Sequence, residues 1–401
     1  MKNIFFLLTL MIVAVISCKN KPGGLTDDQL MEKAVKICQD NIILDSHIDW
    51  PESVYSNPRD ISDESDIGDF DLVRAKKGGL NAVLSVIYIN TGLDLIEGRL
   101  TVDSMFSIIS AYPVKYPGSF GYAYKPEDIR NNFRNNLLSL PLCLENGAPI
   151  GDDLGYIKEL KERGIVYITL CHDRSNQISD SNFDGNRPWN GLSPFGREAI
   201  KEMNRQGIMI DISHSTDSVV YQSLRISQAP IVATHSNCRH FVPGFERNLP
   251  DTLIKAIAAK NGVVMVNMGS FFLDSICNNN WVYLYYSSGQ DMGSPEGIAF
   301  AREYGKTHQL FSDSRMVASH IDHIVKLAGV DHVGIGSDYD GIGIAQPSDM
   351  PDVTAYPRLV AELLKRGYSE EDISKILSGN FMRVWDNVLH VADSMKYNAV
   401  D

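Results

Sequence analysis

Several features that would place this chain in a special structural class are missing from its 401 residues. There is no internal repeat and no low-complexity tract, and hydrophobic residues make up 44% and charged residues 22% of the sequence. That composition excludes disordered, collagen-like and coiled-coil chains. Basic residues are scarce beside acidic ones, 37 against 50, which gives a formal net charge of −13. Such a chain has no general attraction for nucleic acid or an anionic lipid surface, so we expect neither as a partner.

Cysteine is also rare, and its spacing does not suit metal binding. Six cysteines occur, and no two of them form a C-x-x-C pair. A zinc site built on thiolates is therefore not expected. A chain of this length can bury a large core without disulfides. Without Cys18 an odd number of thiols is left, so at least one would stay unpaired even in an oxidising compartment.

Long apolar runs are absent except at the N-terminus. Residues 1–18 read MKNIFFLLTLMIVAVISC, and the apolar stretch after Lys2 is too short to span a bilayer as a mature helix. The pattern predicts a signal peptide, and Ser17-Cys18 resembles a bacterial lipobox in which Cys18 is lipidated after cleavage. A plain signal peptide with an incidental cysteine is the alternative. We expect an exported lipoprotein of the bacterial cell envelope, on the periplasmic side or the outer surface, that touches a membrane only through this anchor.

The rest of the chain alternates short apolar strand patterns with helical patterns. After a flexible tether at residues 19–24, we expect residues 25–401 to form a single domain. The strand candidates, rich in Val, Ile and Leu, lie at 41–47, 80–88, 137–145, 164–172, 207–214, 230–235, 262–268 and 330–338. The helical patterns lie at 153–163, 194–206, 249–260 and 314–328.

This alternation predicts an α/β fold with a parallel sheet. Eight strands favour a (β/α)8 TIM-type barrel, with a doubly wound open sheet as the alternative. Two segments, 90–136 and 269–313, are too long for simple connections and predict long inserted loops. The second is rich in aromatic residues and suits a cover over a site.

Ionisable side chains collect where the predicted strands end. They are His47, Asp49, Glu145, His172, His214, His235 and Asp338. In a barrel the carboxyl ends of all strands meet at one mouth, where barrel active sites lie. Imidazole and carboxylate ligands suit Zn²⁺ or a similar divalent cation, and burying so many of them without a cation would be costly. The sequence therefore predicts a metal site at the mouth.

Other ionisable residues have simpler interpretations. His320 and His323 are spaced like a metal-binding pair, but they lie on a predicted amphipathic helix, and we interpret them as packing or solvated residues. The histidines away from strand ends, at 240, 308, 332 and 390, are interpreted in the same way. Asp45 and Asp211 precede the mouth and suit hydrogen bonding behind it.

Seven segments, spread in order from residue 45 to residue 384, resemble the membrane (renal) dipeptidase family, zinc dipeptidases among the amidohydrolase-like barrels. They are DSHID at 45–49, GIMIDISH at 207–214, THSNCR at 234–239, RNLPD at 247–251, GVVMVN at 262–267, GIGSDYDG at 334–341 and GNFMRV at 379–384. Each segment alone is a weak signal, but the ordered set covers nearly the whole mature chain and is specific.

The resemblance implies two Zn²⁺ ions per chain. His47 and Asp49 match the ligands of one zinc, and His214 and His235 match the ligands of the other. Glu145 matches the carboxylate that bridges the two, and it counts as catalytic because the bridged pair activates water.

The resemblance also implies roles toward substrate. Asp338 matches the acid that holds the bridging water and transfers its proton. His172 matches the histidine that contacts the scissile carbonyl, and Arg247 matches the arginine that holds the substrate's terminal carboxylate.

Two positions depart from the family's pattern. Asn146-Gly147-Ala148 stands where a Gly-Gly-His is common, and since that histidine is not a ligand, the metal site is unaffected. Met268-Gly269 stands where Phe-Tyr is usual, which removes an aromatic contact near the substrate and leaves the specificity open.

We therefore expect a dinuclear zinc dipeptidase acting on dipeptides, including those with a D-residue at the C-terminal side. One alternative is another metal hydrolase of this architecture, acting on a lactone, a cyclic amide or a phosphoester. A second is a surface lipoprotein that binds peptides without cleaving them. A homodimer is an expectation from base rates only.

Overall fold

Ten strands, all paired in parallel within one sheet, organise the computed structural model, which describes residues 25–398. The signal peptide, Cys18 and the tether predicted for 1–24 lie outside these residues. The strands are β1 (Ile43–Ile48), β2 (Leu80–Tyr88), β3 (Phe120–Gly121), β4 (Leu138–Ser139), β5 (Leu142–Glu145), β6 (Ile165–Thr169), β7 (Met209–Asp211), β8 (Val232–Ala233), β9 (Val263–Val266) and β10 (Val333–Ile335).

Eight of the strands form a closed barrel, in the order β1, β2, β5, β6, β7, β8, β9 and β10. The ring closes just beyond the ends of β10 and β1. The Asp338 N–H donates to the His47 carbonyl at 3.0 Å, and the Asp49 N–H donates to the Tyr339 carbonyl at 2.9 Å. The (β/α)8 barrel predicted from the sequence is therefore confirmed, and the open doubly wound sheet is wrong.

One predicted strand is divided in two. The pattern at 137–145 becomes β4 and β5, with Leu140-Pro141 between them. Pro141 has no N–H to donate to a neighbouring strand, so the ladder is interrupted there, although its carbonyl accepts from the Ser85 N–H. The added strands β3 and β4 extend the sheet beside β2 and do not belong to the barrel ring.

Helices follow most of the strands and pack against the outside of the barrel. They are α1 (Asp27–Asp40), α2 (Trp50–Ser56), α3 (Leu72–Gly78), α4 (Leu95–Lys115), α5 (Pro126–Arg134), α6 (Leu154–Glu162), α7 (Pro194–Gln206), α8 (Asp217–Ile226), α9 (Asp251–Ala259), α10 (Ser270–Leu273), α11 (Ser275–Tyr286), α12 (Pro295–Tyr304), α13 (Ser314–Ala328), α14 (Tyr356–Lys365), α15 (Glu370–Ser374) and α16 (Asn380–Asn398). A short π-helix, Lys375–Gly379, joins the last two.

The helices begin and end where local chemistry dictates. α7 begins after Ser193, whose hydroxyl accepts from the Gly196 N–H, and it ends at Gly207, which adopts the left-handed conformation with φ 70°. The apolar face of α7, with Ala199, Ile200 and Met203, is buried against the barrel. Strands buried on both faces and helices buried on one face together produce the apolar core of the barrel.

The two long segments carry structure of their own. Residues 90–136 contain α4, β3 and α5, and residues 269–313 contain α10, α11 and α12. The second segment has a small core that includes Cys277, Trp281 and Leu284. None of the helices within residues 25–398 combines the length and apolarity that a bilayer span requires.

Candidate active site

The residues predicted for the site meet at the carboxyl ends of the barrel strands. His47 lies in β1, and Glu145 is the last residue of β5. His214 follows β7, His235 follows β8, and Asp338 follows β10. All five side chains are buried. The convergence arises because the strands are parallel and closed into a ring, so that their carboxyl ends meet on one face.

Glu145 lies at the centre of this group. Its Oε2 is 3.5 Å from the Nε2 of His47, and its Oε1 is 3.3 Å from the Nε2 atoms of both His214 and His235. Asp49 completes the first side, with Oδ2 at 3.5 Å from the Nε2 of His47. One carboxylate thus presents its two oxygens to two separate sets of nitrogen donors.

The hydroxyl of Tyr167 sets the orientation of the His47 ring. Tyr167 donates its proton to the Ser46 carbonyl at 3.0 Å, and its oxygen lies 2.8 Å from the Nδ1 of His47. Because the phenol has already used its proton, Nδ1 of His47 must be the donor in that contact. The Nε2 of a neutral His47 therefore carries the free lone pair, and it faces the carboxylates.

The same argument applies to His235. The Thr234 hydroxyl donates to Asp211 at 2.7 Å and lies 2.9 Å from the Nδ1 of His235. Nδ1 of His235 is therefore the donor, and Nε2 carries the lone pair, 3.0 Å from the Nε2 of His214. Asp211 and Asp45 thus form hydrogen bonds behind the mouth of the barrel, as the sequence predicts. Asp45 accepts from the backbone N–H groups of His47 and Ser337.

These donors fit a divalent cation. Within residues 25–398, the buried Nε2 of His47 and Oε1 of Glu145 have no hydrogen-bond partner. Candidate ligand atoms of three groups lie within 4.8 Å of one another: His47, Glu145 and His235; Glu145, His172 and His214; and His47, Asp49 and Asp338. Unprotonated imidazole and carboxylate oxygens are donors that zinc and similar cations bind.

The electrostatics of the group favour positive charge. Burial alone would lower the pKa of His47, but the nearby Glu145 and Asp49 carboxylates raise it to about 10. Burial raises the pKa of Asp49 and of Asp338. Burial would also raise the pKa of Glu145, but the fields of His47 and His172 outweigh it and lower that pKa. Three carboxylates within one buried group thus compete for positive charge, which a cation supplies.

Two of these residues adopt strained backbone conformations. His214 and Asp338 both have φ of 65°, in the left-handed region that side-chain-bearing residues rarely occupy. The Asp338 side chain is fixed by Asn267, whose Nδ2 donates to Oδ2 at 2.6 Å. Strain of this kind persists where the surrounding structure holds a residue in a required orientation, and it is common at functional sites.

Arg247 and His172 lie beside the central group. Arg247 is buried, donates to Ser236 and to the His235 carbonyl, and comes within 3.3 Å of the Nε2 of His214. Its Nε has no hydrogen-bond partner in the part of the chain that the structure describes. The His172 ring packs against His214 at 4.1 Å between centroids and is partly open to the cavity. All residues predicted for the site are therefore brought together, and their individual roles stay predictions.

A cavity of about 430 Å³ opens over this group. The carboxylates and His172 form its floor, and the segment at 269–313 forms much of its wall through Phe271, Phe272 and Trp281. The aromatic segment therefore does cover the site, as its composition predicts.

The interpretation of His320 and His323 as packing residues also agrees with the structure, because they bond to the Leu273 carbonyl and to Asp251.

Several residues that shape the site were not singled out from the sequence. Tyr167 lies in the apolar pattern of β6 and reads there as an ordinary core residue. Phe183 and Phe245 lie in loops without periodicity, so nothing in their surroundings indicates the cavity. Asn267 follows β9 directly, and its position at a strand end was the one available signal.

Comparison with known proteins agrees with this geometry. Residues 31–399 match the family model described as membrane dipeptidase, peptidase family M19. Dipeptidase verJ from Clonostachys rogersoniana is 30% identical over 388 residues, which cover 93% of this chain and 90% of that protein.

Solved structures share the fold. The probable dipeptidase PvdM from Pseudomonas aeruginosa has a TM-score of 0.80 at 26% identity, covering 91% of this chain and all of that one. A metallo peptidase from Rhodobacter sphaeroides, solved with a phosphinate mimic of the dipeptide L-Ala-D-Ala, has a TM-score of 0.74 at 23% identity, covering 87% of this chain and all of that one. Given the family match and the buried cluster of metal-ligand side chains, the chain belongs to the membrane dipeptidase family and is a metal-dependent peptide hydrolase.

Proposed function

We propose that this chain is a dinuclear zinc dipeptidase. The observation that carries the proposal is that the two carboxylate oxygens of Glu145 face different histidines. One oxygen lies toward His47 and the other toward His214 and His235. A single ion would not need a carboxylate placed in this way. His47 and Asp49 would hold one cation, His214 and His235 the other, and Glu145 both.

Cations bound there would supply Lewis-acid activation of a water molecule and of the substrate carbonyl. Asp338 faces the same group from the end of β10, with its carboxylate exposed to the cavity. It accepts the proton that the attacking water gives up and delivers it to the leaving amine. Asn267 holds the carboxylate in place for both transfers.

The charged residues around the cavity suit a molecule with charges at both ends. Arg247, after β8, is a buried cation with a fork that matches a carboxylate. Glu52 and Asp340 line the cavity after the ends of β1 and β10. A dipeptide zwitterion places its carboxylate at Arg247 and its ammonium group toward these acids, and His172 then lies near the scissile carbonyl. A longer peptide would lack a free carboxylate at that distance.

The experiment that tests this is metal content and hydrolysis measured on one preparation of residues 25–401. The panel holds L,L- and L,D-dipeptides, the latter because the Rhodobacter sphaeroides protein holds an L-Ala-D-Ala mimic. We expect two zinc ions per chain and cleavage that Asp338→Asn reduces at least about 100-fold. Asp152→Asn, at an exposed position, is the matched control.

Two results would contradict the proposal. A metal-loaded protein that leaves every dipeptide intact but opens a lactone, a cyclic amide or a phosphoester would make it another metal hydrolase. Full activity with one metal ion per chain would show that the enzyme does not need two ions, and would contradict the proposal of a dinuclear site.

We also propose that the chain is exported and anchored through a lipid on Cys18, on the strength of the pattern at residues 1–18. Labelling of growing bacteria with a radioactive fatty acid tests this. Full-length protein should carry label that Cys18→Ser abolishes, and an unlabelled protein of full activity would overturn the anchor.

The same purified material, measured by light scattering, tests whether the chain is a homodimer.

A further inference from the structure

We propose that three phenylalanines, Phe183, Phe245 and Phe272, receive the side chain of the substrate's C-terminal residue and make the enzyme prefer a bulky apolar residue there. This inference rests on the proposed function, because it takes the substrate to be a dipeptide held at Arg247. Together these three side chains are called the phenylalanine wall.

The phenylalanine wall is one continuous surface, although its members come from two loops and from helix α10. Phe183 and Phe245 meet edge to face with centroids 6.1 Å apart, and Phe245 and Phe272 stack at 6.0 Å. All three line the cavity. Phe272 is buried, whereas 41% of Phe183 is exposed, so the wall runs from the interior to the mouth.

The wall lies directly beside the groups that would hold the C-terminal residue. The Arg247 guanidinium is 5.1 Å from the centre of the Phe272 ring. At the other end of the wall, Phe183 lies 5.9 Å from the His214 ring. A carboxylate bound at Arg247 is one bond from its own α-carbon. The side chain on that carbon therefore lies within reach of the three rings.

Gly269 allows Phe272 to occupy this place. A Cβ atom at residue 269 would lie 2.8 Å from Cδ2 of Phe272, closer than such atoms approach in proteins, and 3.1 Å from Oδ1 of Asn267. A residue with a side chain at 269 would push Phe272 away from Arg247. Gly269 thus leaves the space in which the segment that covers the site places the Phe272 ring beside Arg247.

The charges around the cavity reinforce the preference. Besides the carboxylates of the site, two further acids line the cavity, Glu52 after β1 and Asp340 after β10. A C-terminal aspartate would place a charge against three aromatic rings, with Arg247 occupied by the terminal carboxylate and Arg187 paired with Glu246 at 2.7 Å, and burying that charge would be costly. A C-terminal glycine would leave the wall uncovered. The volume of about 430 Å³ leaves room for a large side chain.

The test is kcat/KM of the zinc-loaded enzyme for Ala-Phe, Ala-Gly and Ala-Asp, with Phe in both configurations, and for the reversed pair Phe-Ala and Gly-Ala. We expect the better configuration of Ala-Phe to exceed Ala-Gly about 10- to 100-fold, because a pocket distinguishes side chains by the apolar area that they bury. Ala-Asp should be the poorest substrate. The ratio of Phe-Ala to Gly-Ala should stay within about threefold.

Variants then locate the preference. Phe272→Ala should lower the ratio of Ala-Phe to Ala-Gly at least about fivefold. Phe245→Leu, which keeps an apolar side chain, should lower it less and serves if the alanine variant does not fold. Phe133→Ala, on α5 and outside the cavity, is the matched control and should leave the ratio unchanged.

The outcomes separate the two claims. If no dipeptide is cleaved by the metal-loaded protein, the proposed function fails. If dipeptides are cleaved but Ala-Gly matches Ala-Phe, or if Phe272→Ala and Phe245→Leu leave the ratio unchanged, only the role of the phenylalanine wall is overturned. A preference for Phe-Ala over Ala-Phe would overturn it as well, by moving the selected side chain to the other residue.

Discussion

At the scale of single residues, the site is organised by side chains that do not touch its centre. Thr234 has one hydroxyl proton, and Asp211 takes it, so the Nδ1 of His235 must donate to Thr234. The Nε2 lone pair of His235 is thereby directed at Glu145. Tyr167 does the same for His47. In its neutral form, each imidazole is thus held in the tautomer that leaves Nε2 free to bind a metal.

Thr234→Val tests this arrangement. Valine keeps the shape of threonine but neither accepts from His235 nor donates to Asp211. We expect zinc affinity to fall about 10- to 100-fold, the usual loss when the hydrogen-bond partner of a metal-binding histidine is removed. Competition against a fluorescent chelator measures it. Thr307→Val, at an exposed position, is the control, and equal affinity of the two variants would show that Thr234 does not set the tautomer.

How far the sequence predicts the site depends on the residue. His47, His214 and His235 were predictable because each lies at the end of a recognisable strand, and parallel strands end on one face. Tyr167 was not, because a tyrosine inside an apolar strand has the same surroundings in sequence whether its hydroxyl serves a ligand or not. Phe245 was not, because a loop residue acquires its neighbours only when separate loops fold together.

At the scale of elements, the end of β10 is tightly packed against β1 and the end of β8. Gly336 follows β10, and a Cβ atom there would overlap the carbonyl oxygen of Thr234 and contact the Ser46 hydroxyl. The same hydroxyl donates to the carbonyls of Thr234 and Ile335, at 2.6 and 3.1 Å. Ser46 thus links β1 to β10 and to the end of β8, and the link leaves no room for a methyl group at 336.

Gly336→Ala should therefore destabilise the whole barrel. We expect the free energy of unfolding to fall by about 3 kcal/mol or more, because the overlap is with backbone and not with a flexible side chain. Urea denaturation followed by circular dichroism measures it. Gly118→Ala, with no atom within 4 Å of the added methyl, should change little. Comparable stability of the two variants would mean that the β1–β10 junction is looser than described.

α13 contains an acid-sensitive contact at a residue outside the metal group, His320. His320 is buried; its Nδ1 accepts from the Cys238 N–H at 3.0 Å, and its Nε2 bonds to the Leu273 carbonyl at 3.0 Å. Burial lowers the pKa of His320 from 6.5 to about 4. Protonation would place a second proton on Nδ1, against the Cys238 N–H. Below pH 6.5 the unfolded chain therefore takes up a proton that the folded chain resists, and stability falls as the pH drops toward 4.

His320→Gln should remove this dependence, since glutamine can accept and donate at similar positions without titrating. Between pH 7 and pH 4 we expect the wild type to lose up to about 3 kcal/mol more than the variant. Thermal unfolding across that range measures the difference, and the acid sensitivity of the metal site cancels because both proteins share it. His390→Gln, at an exposed position, is the control. Parallel pH profiles for wild type and His320→Gln would contradict the assignment.

Helices were easier to predict than strand divisions. α7 and α13 have the bounds that their patterns predict, because capping residues and the 3.6-residue period are local properties. The division at Pro141 was missed, since an apolar run on either side of a proline reads as one strand. The segments at 269–313 and 90–136 were predicted as insertions, but their helices were not, because these helices pack on each other and on the barrel rather than following one clear period.

At the scale of the whole molecule, the carboxylates of the site oppose folding until a cation joins them. Asp49, Glu145 and Asp338 meet in one buried group, and burial raises the pKa of two of them. A ligand that binds only the folded chain stabilises it by about 2.7 kcal/mol at one hundred times its dissociation constant. The metal is therefore part of the folded state's stability as well as of its chemistry.

Removal of the metal should lower the midpoint of thermal unfolding, and added Zn²⁺ should restore it in proportion to the logarithm of its concentration. Differential scanning fluorimetry after dialysis against a chelator measures both steps. Glu145→Gln should show little of this response, because it removes a charge from both donor sets. An unchanged midpoint after removal of the metal, verified by atomic absorption, would contradict the coupling.

The left-handed backbone at His214 and Asp338 also bears on how such a protein can change over generations. Glycine adopts φ of 65° without strain, so glycine at either position would relax the fold, yet it would delete a side chain that the site needs. A population selected for thermal tolerance alone would find these substitutions among the accessible ones and lose activity with them. Thermal stability and catalytic activity therefore favour different residues at these two positions, and only selection for activity retains the strained backbone.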